Sequence, residues 1–285
     1  MQNDLKHRSS ARLGGLLLAS VASALNVLSG AAQGIPEPSL VLYGTIRNVA
    51  DVNTRLLGGT LTWLFQPSAG GQPVTITASL TNINDQFSYV LFVPCETEIF
   101  GLSISSNVLR FLPTVLSYDR SLALLGTNLL SFVQPSQSTL TATSRDRGRI
   151  ERIDLVVSIQ PTDNDHNGLP DYWEDMFFGR LGIDPNGDAD GDGVKNIDEY
   201  RAGTDPTDPN SRFAFIAVEP YPSGGVRVQW RSADGRSYTL QRSSQLLSGF
   251  TNLATGITAT APANTVLDTT ATTGEPFFYR LKLQP

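Results

Sequence analysis

The stretch "GTLTWLFQ", residues 59–66, decides the fold class: a short alternating run, rich in threonine and aromatic residues, with no helical period. Runs of the same kind surround it: "SLVLYGTIRN" (39–48), "PVTITASLTN" (73–82), "QFSYVLFVP" (86–94) and "RIDLVVSIQ" (152–160). Turn signals such as "PSAGGQP" (67–73) and "NIND" (82–85) separate them. This pattern predicts an antiparallel β-sandwich over residues 33–160. The stretch 99–132 fits neither the strand period nor the helix period cleanly, so strand and helix both stay open there. From 212 to 285 a smaller module repeats the pattern in "FAFIAVEP", "GVRVQWRS", "SYTLQRS", "NTVLDTT" and "FFYRLKLQ". The fold class expected is mainly β: two antiparallel sandwich modules joined by a loop–helix segment over 161–211.

The chain has 285 residues, net charge −6 and 40% apolar content, which suits one to three globular domains. Its N-terminus reads as a signal peptide over residues 1–32. Lys6, Arg8 and Arg12 form a basic start, Leu13 to Leu28 an uncharged and mostly apolar run, and small residues offer cleavage after Ala31 or Ala32. No cysteine follows that run, which argues against a lipoprotein, and no later run is long and charge-free enough to span a bilayer. An exported protein, extracellular or at a bacterial cell surface, is expected. Cys95 is the only cysteine, so no intramolecular disulfide can form; it reads as a small buried apolar residue. Metal ions are then the natural cross-link.

Charge is concentrated in one place. Residues 163–208 hold thirteen acids against Arg180, Lys195 and Arg201, a balance of −10, while the rest of the chain holds fourteen acids and eighteen bases. Carboxylates crowded this way repel unless a cation sits among them, and nucleic-acid binding calls for basic patches instead.

A twelve-residue calcium loop supplies oxygens from positions 1, 3, 5, 7, 9 and 12, with glycine at 6. "DADGDGVKNIDE" fits throughout, giving Asp188, Asp190, Asp192, Val194 (through its carbonyl), Asn196 and Glu199 around Gly193. "DNDHNGLPDYWE" fits as well, giving Asp163, Asp165, Asn167, Leu169 (carbonyl), Asp171 and Glu174 around Gly168. One such match arises by chance on the order of once in 10⁵ windows at average residue usage. Ca²⁺ is a hard cation that takes six to eight oxygens at flexible distances, whereas Zn²⁺ prefers His and Cys. About two Ca²⁺ ions are expected. After loop one, "PDYWEDMFFGRLG" predicts a short helix ending near Gly182; after loop two, "IDEYRAG" predicts another capped by Gly203. Leu169, Tyr172, Trp173, Met176, Phe177, Ile183, Val194, Ile197 and Tyr200 offer a miniature core.

The phrases "DADGDGVKNIDEY" and "AGTDPTDPNS" resemble the thrombospondin type-3-like calcium repeats of secreted bacterial surface proteins. Dockerins also use two loop–helix repeats, but they usually end the loop with Asp and carry longer helices. Whether Asp184, Asn186, Asp205 and Asp208 join the metal sites stays open. The C-terminal module is similar to a fibronectin type III-like sandwich, with Trp230 and Tyr279 in core places. The N-terminal module resembles the prealbumin-like modules of bacterial adhesins; their Lys–Asn isopeptide cross-link is excluded, since no lysine lies between Lys6 and Lys195.

Histidine-dependent catalysis finds no partner: His7 lies in the signal segment and His166 at position 4 of a calcium loop. P-loop and HExxH motifs are absent. Composition permits a two-carboxylate glycosidase, but acids outside the calcium segment are sparse. Arg145, Arg147, Arg149 and Arg152 could bind an anionic polymer, though a solvated hairpin tip is the simpler reading. Trp63, Trp173 and Trp230 read as core residues rather than a sugar platform. No enzyme is therefore expected. The chain reads as an exported, calcium-binding structural or adhesive surface protein whose partner is a surface glycan or protein. The alternative is a carbohydrate- or protein-binding accessory module of an extracellular complex.

Overall fold

Alternation along the N-terminal strands becomes two packed faces. A computed structural model of the chain describes residues 34–284 apart from 53, 113 and 272–275; the expected signal peptide lies outside the described residues. Twelve strands come first: β1 (Ile35–Gly44), β2 (Ile46–Asn48), β3 (Thr54–Arg55), β4 (Thr60–Pro67), β5 (Val74–Ser79), β6 (Tyr89–Thr97), β7 (Leu109–Phe111), β8 (Leu116–Leu125), β9 (Asn128–Phe132), β10 (Thr139–Ala142), β11 (Ile150–Arg152) and β12 (Leu155–Val157). Helices α1 (Asp171–Phe178) and α2 (Asn196–Ala202) follow. The chain then forms β13 (Phe215–Pro220), β14 (Val226–Arg231), β15 (Ser237–Ser243), β16 (Thr251–Thr258), β17 (Ala263–Asp268) and β18 (Phe278–Gln284). The protein is mainly β, as its sequence predicts. No helix among the described residues is long and apolar enough to cross a membrane.

A four-stranded sheet, β11-β1-β6-β7, faces an eight-stranded one, β3-β2-β12-β9-β8-β4-β5 with β10 on β8. Leu40, Leu42, Leu91 and Val93 from the first meet Leu61, Trp63, Phe65 and Leu155 from the second, all buried in one cluster. Most pairings are antiparallel, as expected. Three are parallel: β1 with β11, β2 with β12, and β6 with β7. The first pair and the second are halves of two long strands that change sheets side by side, at Gly44–Thr45 and at Ile153–Asp154. At this corner the backbones nearly touch, and a Cβ on Gly44 would stand 1.9 Å from the Ile153 carbonyl oxygen. The Asp154 carboxylate accepts from Thr45 N (2.9 Å) and Oγ1 (3.1 Å), and Tyr89 Oη donates to Ile153 O at 2.7 Å.

The ambiguous stretch 99–132 is strand where it is regular. β8 lies between β4 and β9, so its pairing on both sides replaces alternation as the organising constraint. The C-terminal module packs β13-β14-β17 on β16-β15-β18 around buried Val228, Trp230, Tyr238 and Leu240. Trp63, Trp173 and Trp230 are all buried, so none offers a sugar platform. Cys95 is buried too, and burial pushes its thiol pKa up.

Three of the four arginines near β11 are engaged: Arg147 with Glu37, Arg149 with Asp146 and Glu151, and Arg152 with Asp154. Their charge is spent locally, but the stretch is no hairpin tip: it links β10, paired with β8 in one sheet, to β11, paired with β1 in the other.

Candidate metal centre

Both twelve-residue stretches fold into the same loop. Each places its glycine at φ +93°, a backbone conformation that suits glycine and turns the chain sharply. In each, the first aspartate accepts the glycine N–H at 2.9 Å, Asp163 from Gly168 and Asp188 from Gly193. In each, the residue at position 5 accepts the position-7 N–H at 2.7 Å: Asn167 from Leu169, and Asp192 from Val194. Each helix begins at position 9, after an extended residue at position 8, Pro170 (ψ 140°) or Lys195 (ψ 147°). Two sequences that share only oxygen-bearing positions and a glycine thus reach one backbone.

The helices are held by their own small core. Leu169, Trp173 and Ile183 are buried, with Met176, Phe177, Ile197 and Tyr200 packed around them. Trp173 meets Phe177 at 5.2 Å, one turn along, and Tyr200 from the other helix at 5.8 Å. Gly203 caps α2 as predicted, its N–H bonded to Glu199 O and Tyr200 O. α1 stops at Gly179 and not near Gly182, because Gly179 takes the left-handed conformation and bonds back to Asp175 O. The shorter helix leaves Ile183 N free to donate to Glu174 Oε1 at 2.7 Å.

In loop two, Asp188, Asp190 and Asp192 bring carboxylate oxygens within 4.8 Å of one another. At that spacing, like charges repel by about 3 kcal/mol per pair at an effective dielectric of ~20, before solvent screening. Glu199 and Asn196 close the loop from α2, both buried. Eleven buried side-chain polar atoms lack a hydrogen-bond partner among the described residues, and the carboxylate and amide oxygens in that set number five. All five stand at expected ligand positions: Glu174 Oε2, Asp190 Oδ2, Asp192 Oδ2, Asn196 Oδ1 and Glu199 Oε2. An unpartnered buried acceptor costs about 1–3 kcal/mol, so such a grouping is not neutral packing.

The loops differ in how much they satisfy themselves. In loop one, Asn167 Nδ2 donates to Glu174 Oε1 (2.9 Å) and to Ile183 O (3.0 Å). Asp171 accepts from Thr162 Oγ1 at 3.2 Å and from Asn164 N at 3.0 Å. Asp165 is exposed and accepts from Asn167 N at 3.3 Å. Loop two has no such internal donor, and four of the five unpartnered oxygens belong to it. Backbone donors, first Gly168 N–H, hold the Asp163 carboxyl below its usual range. Burial, reinforced by Asp192 and Asp188, raises Asp190. Burial, with the charges of Asp190, Asp192 and Asp205, pushes Glu199 up to about 8.

That shift has a sign. A carboxyl whose folded pKa lies above its unfolded value favours folding while protonated, so its contribution is intact below about 4.5 and is lost as pH rises through about 8. A cation held by Glu199 requires the carboxylate. Metal uptake at pH 7 should therefore release close to one proton per chain, measured as a buffer-dependent calorimetric heat that disappears above about pH 9.

Two residues outside the segment were not predictable from local pattern. Asp51, buried in the β2–β3 loop, accepts from Tyr172 of α1 and, at 3.2 Å, from Tyr200 of α2. Burial and the Asp51 charge push Tyr200 up to about 12 and Tyr172 higher still, so both remain donors. Arg236, ahead of β15, donates to Arg201 O (2.7 Å) and Tyr200 O (2.9 Å) at the end of α2, and reaches Thr54 Oγ1 at 3.4 Å. The two helices thus touch both sandwiches, and the sandwiches touch each other. The sequence matches no protein-family model and no curated protein.

Proposed function

We propose that this chain is an exported calcium-binding structural or adhesive surface protein, in which Ca²⁺ stiffens the segment between two β-sandwiches. The observation that carries the reading is the set of five buried oxygens without a hydrogen-bond partner, every one at a calcium-ligand position of two loops with matching hydrogen bonds. An all-oxygen donor set at flexible spacing suits Ca²⁺ better than Zn²⁺ or Mg²⁺. Asp188, Asp190, Asp192, Asn196, Glu199 and the Val194 carbonyl would hold one ion; Asp163, Asp165, Asn167, Glu174, the Leu169 carbonyl and, through water, Asp171 would hold the other. Export rests on the basic-then-apolar N-terminal pattern.

Neutralising the acidic loops would let α1 and α2 remain together, and with them the Asp51 and Arg236 contacts. Extracellular sites of this type bind at roughly 10⁻⁴–10⁻³ M, which suits a structural ion rather than a cytosolic signal. Calorimetry on the full chain should find about two ions bound. Calcium at about a hundred times Kd contributes about 2.7 kcal/mol per site, a rise in Tm of roughly 5–10 °C. Chelation should lower Tm and broaden the X-ray scattering distance distribution. Identical melting and scattering with calcium and with EDTA would reject the proposal.

A further inference from the structure

The chain that follows α2 folds back over loop two. Thr204 Oγ1 donates to Glu199 Oε1 at 3.1 Å, at position 12 of the loop. The strap then turns through Asp208 and Ser211, where Ser211 N donates to Asp208 O at 2.8 Å and Ser211 Oγ accepts from Asp205 N at 3.0 Å. It ends at Arg212, three residues before β13, whose Nε stands 3.6 Å from Asp192 Oδ2 at position 5. The Asp192 side chain is only 1% exposed, while that of Arg212 is 52% exposed. A half-exposed guanidinium therefore faces a buried carboxylate oxygen across a gap just too long for a hydrogen bond.

Loop one shows what this contact replaces. There, position 5 is Asn167, and its own amide N–H donates to the position-12 glutamate at 2.9 Å. Loop two carries aspartate at position 5, which supplies one more negative charge and no donor. The compensating positive group comes instead from Arg212, on the strap that leads into the C-terminal sandwich. We infer that Arg212 is a tethered counter-ion of loop two: it competes with the metal for Asp192 and so sets that loop's calcium affinity. A divalent cation at Asp192 removes the reason for the guanidinium to stay and repels it directly. The inference rests on the calcium reading above and adds a regulator to it.

The test is calcium calorimetry at low salt on the full chain, in a Glu174→Gln background that silences loop one. Arg212→Gln should tighten the remaining site about two- to fivefold, the range an ion pair with one solvated partner supports. Arg212→Lys should stay near the parent, and raising the salt to 0.5 M should shrink the difference. Arg227→Gln, which removes an equal charge paired with Glu219 in the C-terminal sandwich, should leave the affinity unchanged. Affinity that is unaltered or weaker in Arg212→Gln overturns the inference, as does an equal gain in Arg227→Gln. If the Glu174→Gln parent binds calcium and Arg212→Gln matches it, only the regulator is lost. If the unmutated chain takes up no calcium, the reading of the site falls as well.

Discussion

On the proposed calcium reading, Glu199→Gln should lower the calcium affinity of loop two about tenfold or more, and in the absence of calcium it should make the protein more stable at pH 8. The first effect follows from losing one oxygen and one charge at the position that closes the loop. The second follows from the cost of the native carboxylate, which is buried beside Asp190 and Asp192 and pushed up to about 8. Glutamine keeps an acceptor for Thr204 Oγ1 and never has to ionise. Discounted for screening, the gain should be on the order of 1–2 kcal/mol at pH 8. It should vanish at pH 5, where the native glutamate is already protonated. Urea unfolding at both pH values, with and without calcium, reads all four quantities. A glutamate kept for packing alone would show no such reversal between the calcium-free and calcium-bound proteins.

Gly44→Ala should unfold the N-terminal sandwich. The added methyl would lie 1.9 Å from the backbone oxygen of Ile153, so one of the two crossing strands must move. Movement there breaks the Thr45–Asp154 and Tyr89–Ile153 bonds and separates β1 from β11. A loss of about 4 kcal/mol or more is expected, at the severe end for a single substitution. The near-UV signal of Trp63, buried in that core, should disappear, whereas calcium titration of loop two should persist if the C-terminal part remains folded. A variant that melts within about 1 kcal/mol of the parent would contradict the crossing geometry.

Much of this architecture was legible because it is local. Alternation in "GTLTWLFQ" predicts a strand, and β4 is one; the loop spacing predicts a shared turn, and the two glycines adopt the same φ. Stretch 99–132 was not legible, since β8 owes its conformation to neighbours on both sides and not to its own period. α1 ends three residues before the expected stop near Gly182 because Gly179 already takes the left-handed conformation and bonds back to Asp175 O. Asp51, Arg212 and Arg236 were missed for another reason. Asp51 lies 121 residues from Tyr172 and 149 from Tyr200, so nothing in its own neighbourhood announces its partners. Unpartnered oxygens are likewise a property of packing, which spacing alone cannot report.

The side-by-side strands that change sheets have a mechanical meaning. β1 opens the N-terminal sandwich, β12 closes it, and β1–β11 and β2–β12 both run parallel. Tension between the two ends of such a module pulls those neighbours past each other along their length. Their ladder bonds are then loaded in shear and must rupture together, where antiparallel end strands would unzip one bond at a time. An arrangement of that kind resists extension without any covalent cross-link.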